Sequence, residues 1–314
     1  MLGILLRRLR DVVIVLLLVG TALFFVLHLI PGSPARTLLG QFATEQQVEA
    51  LNEQMGLNEP LITQYFIWLG NVVRGDLGFS FTQNQSVSSV VVSHFGPTLL
   101  LAVVSTLLSI LVAVPLAVRT VQRPYSPLSR FFVWASSFGL AVPGFWLALV
   151  LILVFAVELR WLPVSGYIDP MVDPIGSLRF LVLPMVVILA SQVSLLLITL
   201  REGIAGEMLQ SYIRTARAKG LSEDKVMYRH LLPNALLPAV TVVGSGFGAL
   251  LGGILIIETI FLIPGMGSVL NAAIQARDYN VILGLTLVSA AIIVVVNLLV
   301  DIAYIVLDPK VRVQ

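Results

Sequence analysis

Long apolar segments alternate with shorter polar segments along the chain. The apolar segments that are long enough to be membrane spans lie at residues 12–30, 98–118, 131–157, 180–200, 236–257 and 281–307. About 20 mostly apolar residues cross the hydrocarbon core of a bilayer as a helix. Composition agrees, because 58% of the 314 residues are hydrophobic and only 11% are charged, compared with roughly 25% in an average soluble domain. We therefore predict an all-α integral membrane protein with six transmembrane helices.

The charges of the polar segments predict the orientation of the chain. Loops rich in Lys and Arg stay in the cytoplasm. Six spans place fourteen Lys/Arg on one side and five on the other, so we expect both termini in the cytoplasm. The inner residues include Arg7, Arg8 and Arg10 at the start and Lys310 and Arg312 in the tail. The net charge of +2 gives no reason to expect a nucleic-acid partner.

Residues 31–97 form the first long polar segment, with five acidic and two basic residues. This balance predicts a location outside the cytoplasm. Thr44 and Gln47 have the spacing of a capping box, and apolar residues at helical spacing follow. We predict a small helical extracytoplasmic subdomain, which meets a partner protein, packs as a lid on the bundle, or does both. Residues 1–30 then hold the N-terminus and first span, and residues 98–314 a five-helix transmembrane core.

The loop at 201–235 is unusually long and charged for a connection between two spans. It carries six Lys/Arg and four acidic residues between Arg201 and Pro233. Residues 205–219 are good helix formers, and Gly220 suits the left-handed residue that ends a helix. Ser222 is positioned to begin a second helix, with two acidic residues in its first turn. Pro233 is expected to stop that second helix.

The same loop carries a motif with fixed spacing. Arg-Thr-Ala-x-x-x-Gly at 214–220, followed by Leu-Pro at 232–233, resembles the EAA loop of ABC importer permeases, whose consensus begins Glu-Ala-Ala and ends Ile-x-Leu-Pro. Arg214, Thr215 and His230 depart from that consensus. Further matches to the dipeptide, oligopeptide and nickel branch of this family extend the resemblance into the first polar segment, at 31–34, 56–60, 64–65 and 75–78.

The resemblance implies a type I ABC importer (MetI-like) permease fold in a bacterial or archaeal plasma (inner) membrane. It implies a homologous permease partner, two cytoplasmic ABC ATPases that bind ATP and Mg, an extracytoplasmic substrate-binding protein and surrounding membrane lipid. It implies no cofactor in this chain itself. The resemblance also implies which residues couple the permease to the ATPase. They are Tyr212, Arg214, Thr215, Ala216, Arg217, Ala218, Lys219, Gly220, Leu232 and Pro233. We expect Ala216 and Gly220 to be small so that a partner can sit close.

A few residues inside the apolar segments are candidates for helix packing or for the translocation pathway. Small residues allow helices to approach closely in membranes, and prolines bend them. Ionisable residues within spans are functional candidates by default. The candidates are Gly244, Gly246, Gly248, Gly252, Gly253, Pro143, Asn297 and Asp301. Pro143 is expected to kink the third span, and Glu258 is expected to be solvated or interfacial at an outer span end.

Missing motifs restrict the chemistry. None of the three lysines stands in a P-loop, and there is no His-Glu-x-x-His or Gly-x-Ser-x-Gly sequence. The chain has no cysteine, so thiolate chemistry is excluded. We expect no catalytic or metal site. The alternatives left open are a permease for nickel or another small solute, an ion-driven secondary carrier and a membrane scaffold; no residue distinguishes the transported substrates.

Overall fold

The computed structural model describes the backbone of residues 2–40 and 42–307 and the side chains of 10–40 and 42–302. The predictions for the side chains of Arg7 and Arg8 and for the tail residues Lys310 and Arg312 lie outside this range. The helices are α1 (Leu2–Leu29), α2 (Pro34–Leu39), α3 (Glu45–Gln54), α4 (Leu61–Val73), α5 (Val87–Gln122), α6 (Pro127–Ala141), α7 (Gly144–Leu151), α8 (Pro174–Glu207), α9 (Ser211–Ala218), α10 (Glu223–Val226), α11 (Leu232–Phe261), α12 (Met266–Ala276) and α13 (Tyr279–Leu307). Two short strands, β1 (Phe79–Ser80) and β2 (Gln85–Ser86), pair antiparallel. Two π-helical segments, Ile152–Glu158 and Met227–Leu231, complete the fold.

The described helices confirm the prediction of an all-α membrane protein. Five of them are long and apolar enough to cross a membrane, and a bent pair raises the number to six if it counts as one span. The described helices extend beyond the apolar segments: α5 begins at Val87 and α8 runs from Pro174 to Glu207. The polar turns at their ends stay helical because the backbone N–H and C=O groups form hydrogen bonds within the helix, in lipid as well as in water.

The chain groups into two compact units. The first contains the residues up to Thr98 and the segment Pro264–Val294; the second contains Leu99–Ile263 and the residues from Val295 onward. Each unit has its own cluster of buried apolar side chains. Residues 31–97 therefore group with α1, α12 and the first part of α13.

The first unit is held together by aromatic side chains and a capped helix. Phe24 of α1 packs against Tyr65 and Trp68 of α4, with ring centroids 5.4 Å apart in both cases. The predicted capping box is confirmed at the start of α3, where Thr44 and Gln47 each accept a hydrogen bond from the backbone N–H of the other. Helices α2 and α12 and the β1–β2 hairpin were not predicted.

Asp278, which precedes α13, is a buried structural residue. It is 3% exposed. Its carboxylate accepts hydrogen bonds at 2.7 Å from the hydroxyls of Ser80 and Thr82. The carboxylate thereby fixes the hairpin to the start of α13.

Pro143 produces a break rather than the predicted kink. The helices Pro127–Ala141 and Gly144–Glu158 meet at 109°. Val142 is extended, with ψ of 123°, as expected for a residue before proline, and Pro143 is also extended. Two consecutive non-helical residues separate the helices completely, whereas a kink leaves the backbone helical.

Glu258 also differs from its prediction. Its side chain is completely buried, near the end of α11, instead of solvated or interfacial. The apolar pattern around it indicated the end of a span but held no information about the packing that covers this side chain.

Candidate coupling surface

The charged loop contains a short helix that is separate from the span before it. Helix α8 ends at Glu207, residues 208–210 form a tight turn, and α9 begins at Ser211. The prediction of one helix over 205–219 is therefore wrong. Good intrinsic propensity would allow one helix, but tertiary packing overrides it, because the turn redirects the chain so that Ile213 and Ala216 reach the core.

Helix α9 ends in the way that Gly220 predicts. Gly220 has φ of +76°, the left-handed conformation that glycine adopts without strain. The N–H of Leu221 bonds to the carbonyl of Ala216, and the N–H of Gly220 bonds to the carbonyl of Arg217. This is the Schellman arrangement. A Cβ added at Gly220 would meet nothing within 4 Å, so within this chain the need for glycine comes from the backbone.

The second helix starts where Ser222 predicts, at Glu223. Ser222 has extended backbone in the N-cap position, although among the described residues its hydroxyl makes no capping hydrogen bond. Glu223 forms a two-pronged ion pair with Arg217, at 2.9 and 3.0 Å. Asp224 accepts a hydrogen bond from the side chain of Gln122, at the end of α5. Glu223 therefore connects α10 to α9 within the loop, and Asp224 holds the loop to α5.

Pro233 does not stop this helix, contrary to the prediction. The helical chain continues from Glu223 to Phe261, and Pro233 lies in the first turn of α11. The π-helical segment Met227–Leu231 comes immediately before it. A π turn changes the hydrogen-bond pattern of the helix locally. The N–H that Pro233 lacks falls where this pattern changes, so the proline ring is accommodated without ending the helix.

One face of α9 is part of the hydrophobic core of the second unit. Ile213 is completely buried and Ala216 is 7% exposed. Their cluster includes residues of α5, α8, the π-helical segment Met227–Leu231 and α11, among them Ala117, Val118, Leu200, Ile204, Leu231 and Ala235. The small side chain of Ala216 is therefore accounted for by packing inside this chain.

The opposite face of α9 is exposed and cationic. We call it the coupling face, and its residues are Arg214, Thr215, Arg217, Ala218, Lys219 and Gly220. Of the two remaining coupling candidates in the Leu-Pro pair, Pro233 is exposed, and Leu232 is half-buried against the core cluster. The helix thus has one face fixed by apolar packing and one face available for contact.

Tyr212 connects α9 to the helices on both sides of it. Its hydroxyl donates a hydrogen bond to the carboxylate of Glu207, the last residue of α8. The same hydroxyl accepts a hydrogen bond from the side-chain amide of Asn234, in the first turn of α11, at 2.7 Å. Burial, and then the hydrogen bond to Glu207, raises the pKa of the Tyr212 hydroxyl above its usual value of 10.0. The hydroxyl is therefore protonated at neutral pH and can donate.

The roles of Glu207 and Asn234 were not predicted. Asn234 lies 22 residues from Tyr212 in sequence, and its position follows the proline that was expected to end the helix. Only the three-dimensional course of the loop brings these groups together.

The glycines of α11 fall into two classes. A Cβ added at Gly244 would lie 2.5 Å from a methyl group of Val300 in α13, so Gly244 permits close helix packing. Gly246, Gly252 and Gly253 have nothing within 4 Å of such a Cβ, and Gly248 is half-buried.

Gly246 also borders a small, mostly apolar cavity. The cavity measures about 30 Å³ and lies between α5, α8 and α11. Its lining includes Thr106, Ser109 and Gln192. The side-chain oxygen of Gln192 is buried without a hydrogen-bond partner among the described residues.

The remaining pathway candidates are not brought together with this cavity. Pro143 lies at the α6–α7 break. Asn297 is exposed and Asp301 half-buried, one helical turn apart on α13. Their part in a pathway stays a prediction. In the described part of the chain, no group of three His, Asp or Glu side chains is arranged to hold a metal ion.

Comparison with known proteins assigns the family. Residues 105–313 match the family described as binding-protein-dependent transport system inner membrane component, and residues 1–102 match its N-terminal counterpart. The oligopeptide transport system permease protein AppB of Bacillus subtilis is 35% identical over 309 residues, 98% of each chain. A Brucella suis biovar 1 protein, provisionally named a peptide permease, is 40% identical over 305 residues, 95% of each chain. The chain therefore belongs to the family of inner-membrane components of binding-protein-dependent transport systems.

Proposed function

We propose that this chain is the permease subunit of an ATP-driven peptide importer. It forms half of the translocation pathway together with a homologous permease. Two cytoplasmic ABC ATPases supply the energy, and an extracytoplasmic binding protein delivers the substrate. The observation that carries the proposal is the two-faced helix α9, whose apolar face lies in the core and whose cationic face is exposed.

The two faces of α9 suit a mechanical connection. A partner that binds the coupling face acts on a helix whose other side is packed against α5, α8 and α11. Protein interiors are close-packed and transmit displacement. When ATP binds to the partner, the partner binds one of two permease states more tightly than the other. This difference in affinity shifts the permease towards that state. The motion belongs to the class of rigid-body switches.

The substrate class comes from the relatives. The Bacillus subtilis relative is named for oligopeptide transport, and a Sinorhizobium fredii relative, 36% identical over 307 residues, is provisionally named a peptide ABC transporter permease. These names favour peptides over nickel complexes as the cargo. The bound ATP and Mg belong to the ATPases, and we assign no cofactor to this chain.

The orientation follows from the charges. The coupling face must lie in the cytoplasm to meet an ATPase, and this agrees with the excess of Lys and Arg in its loop. Both termini then lie on the same side, in the plasma membrane of a bacterium or archaeon. Residues 31–97 lie on the opposite side, where the binding protein docks.

Charge reversal on the coupling face tests the proposal. The double variant Arg214→Glu, Lys219→Glu changes two exposed side chains and leaves Ile213 and Ala216 in the core. We expect it to insert in membranes, to lose co-purification of an ABC ATPase and to lose ATP-dependent peptide uptake in proteoliposomes. The control is Arg123→Glu, Arg130→Glu, which makes the same charge change at two other exposed residues, one in the loop between α5 and α6 and one near the start of α6. Retained ATPase binding by the first variant contradicts the proposal.

A further inference from the structure

The apolar face of α9 does not by itself fix the orientation of the helix. Helix α9 has eight residues, and only Ile213 and Ala216 are buried. Two contacts on one side of a short helix hold its depth in the core but leave rotation about its own axis weakly restrained. Directional contacts are needed to set the angle of the coupling face.

Tyr212 supplies such contacts on the side of the long helices. Its hydroxyl is hydrogen-bonded at the same time to the end of α8, through Glu207, and to the beginning of α11, through Asn234. Asn234 is itself held by a second hydrogen bond, from its side-chain amide to the carbonyl of His230 at 3.2 Å. Three helices therefore meet at one phenolic oxygen.

Of the two hydrogen bonds at the Tyr212 hydroxyl, the one to the Glu207 carboxylate is of the stronger type, and the one from the Asn234 amide is of the weaker type. Hydrogen bonds to an ionised group are shorter than those between neutral groups and roughly twice as strong. The carboxylate of Glu207 therefore provides the stronger of the two links that Tyr212 makes to the long helices. The Arg217–Glu223 ion pair restrains the other end of α9, towards α10.

We propose that Tyr212 is a positioning residue that clasps α9 to α8 and α11, so that a displacement of the coupling face reaches both long helices. The proposal rests on the coupling function proposed above and assigns Tyr212 a role inside this chain, instead of the ATPase contact that the sequence suggested. Without the hydroxyl, α9 remains seated by Ile213 and Ala216 and tethered by Arg217. It still binds the ATPase, but it rotates under load and transmits less of the motion.

The distinguishing measurement is the number of ATP molecules hydrolysed per peptide transported. Tyr212→Phe removes one oxygen and keeps the ring. In the complete complex in proteoliposomes, we expect ATPase co-purification to be unchanged. We expect the ATP-to-peptide ratio to rise about fivefold, the factor that corresponds to loss of roughly 1 kcal/mol of net hydrogen-bond energy. Tyr228→Phe is the matched control, because Tyr228 lies in the same loop and is 57% exposed.

Two partner variants complete the test. Asn234→Ala should raise the same ratio, and the double variant Tyr212→Phe, Asn234→Ala should be no worse than the more affected single variant, because both changes break one connection. Glu207→Gln keeps an acceptor without the charge and should give a smaller rise.

The outcomes separate this inference from the function on which it rests. An unchanged ratio in Tyr212→Phe, with the ATPase still bound, overturns the clasp and leaves the coupling surface in place. Loss of the ATPase from Tyr212→Phe also overturns the clasp, because it identifies Tyr212 as a direct partner contact. Retention of the ATPase by the Arg214→Glu, Lys219→Glu variant overturns the coupling surface itself.

Discussion

At the scale of single residues, the loop separates positions that look alike in sequence. Ala216 and Ala218 are two positions apart, yet Ala216 faces the core and Ala218 is exposed. Sequence resemblance assigned both to the partner contact. The left-handed conformation of Gly220 was predicted correctly because it depends only on the local backbone at a helix end. The environment of Ala216 depends on where α5, α8 and α11 lie, which local patterns do not encode.

Gly220 gives a prediction that depends on backbone strain alone. An L-residue other than Asn or Asp in this conformation costs roughly 1–2 kcal/mol, while the space around the site is open. Gly220→Val should therefore leave membrane insertion intact and abolish ATP-dependent uptake by displacing the end of α9. Gly220→Asn, which tolerates the conformation, should retain most of the uptake. Equal activity of the two variants would show that backbone conformation at 220 is not the constraint.

Asp278 gives a second prediction. Replacing it by alanine leaves the buried hydroxyl of Ser80 without its carboxylate acceptor, at a cost of about 1–3 kcal/mol if that group stays unsatisfied, and also removes the acceptor of the exposed Thr82 hydroxyl. We expect Asp278→Ala to lower the thermal unfolding midpoint of the detergent-solubilised chain. Asp76→Ala, at an exposed residue, serves as the comparison and should have a much smaller effect. An unchanged midpoint in Asp278→Ala would contradict the structural role.

At the scale of elements, two prolines had opposite effects. Pro143 was predicted to kink a span and separates two helices, whereas Pro233 was predicted to end a helix and lies inside a continuous one. Proline has no N–H to donate, and it restricts the backbone conformation of the residue before it. Whether the chain bends, breaks or adopts a π turn depends on which outcome buries its apolar faces. The existence of the spans was predictable because it depends on length and hydropathy.

The glycines of helix α11 give a prediction about which of them are needed for helix packing. Gly244→Ala places a methyl group 2.5 Å from Val300 and should lower the thermal midpoint of the solubilised chain. Gly252→Ala, in the same helix, enters open space and should be neutral or stabilising, by up to about 1 kcal/mol, through its better helix propensity. If both substitutions destabilise the isolated chain equally, the distinction between packed and open glycines is wrong.

At the scale of the whole molecule, the fold class and the position of the coupling loop were predictable, and the arrangement of its side chains was not. The charged loop was identified by contrast with the apolar segments on either side and by its motif spacing. The clasp at Tyr212 joins residues from three helices, so no single stretch of sequence contains it. The function proposed for the molecule depends on α9 having an inward and an outward face at once.

The absence of cysteine from the chain makes site-specific cross-linking the most direct test of that central claim. Cysteine is introduced at Ala218, on the coupling face, or at Ala216, on the core face, and the assembled complex is treated with a short thiol-to-lysine cross-linker. We expect Ala218→Cys to form a covalent product with an ABC ATPase, and Ala216→Cys to form none. A complex that assembles normally but gives no ATPase product at 218, or gives equal products at both positions, would contradict the account.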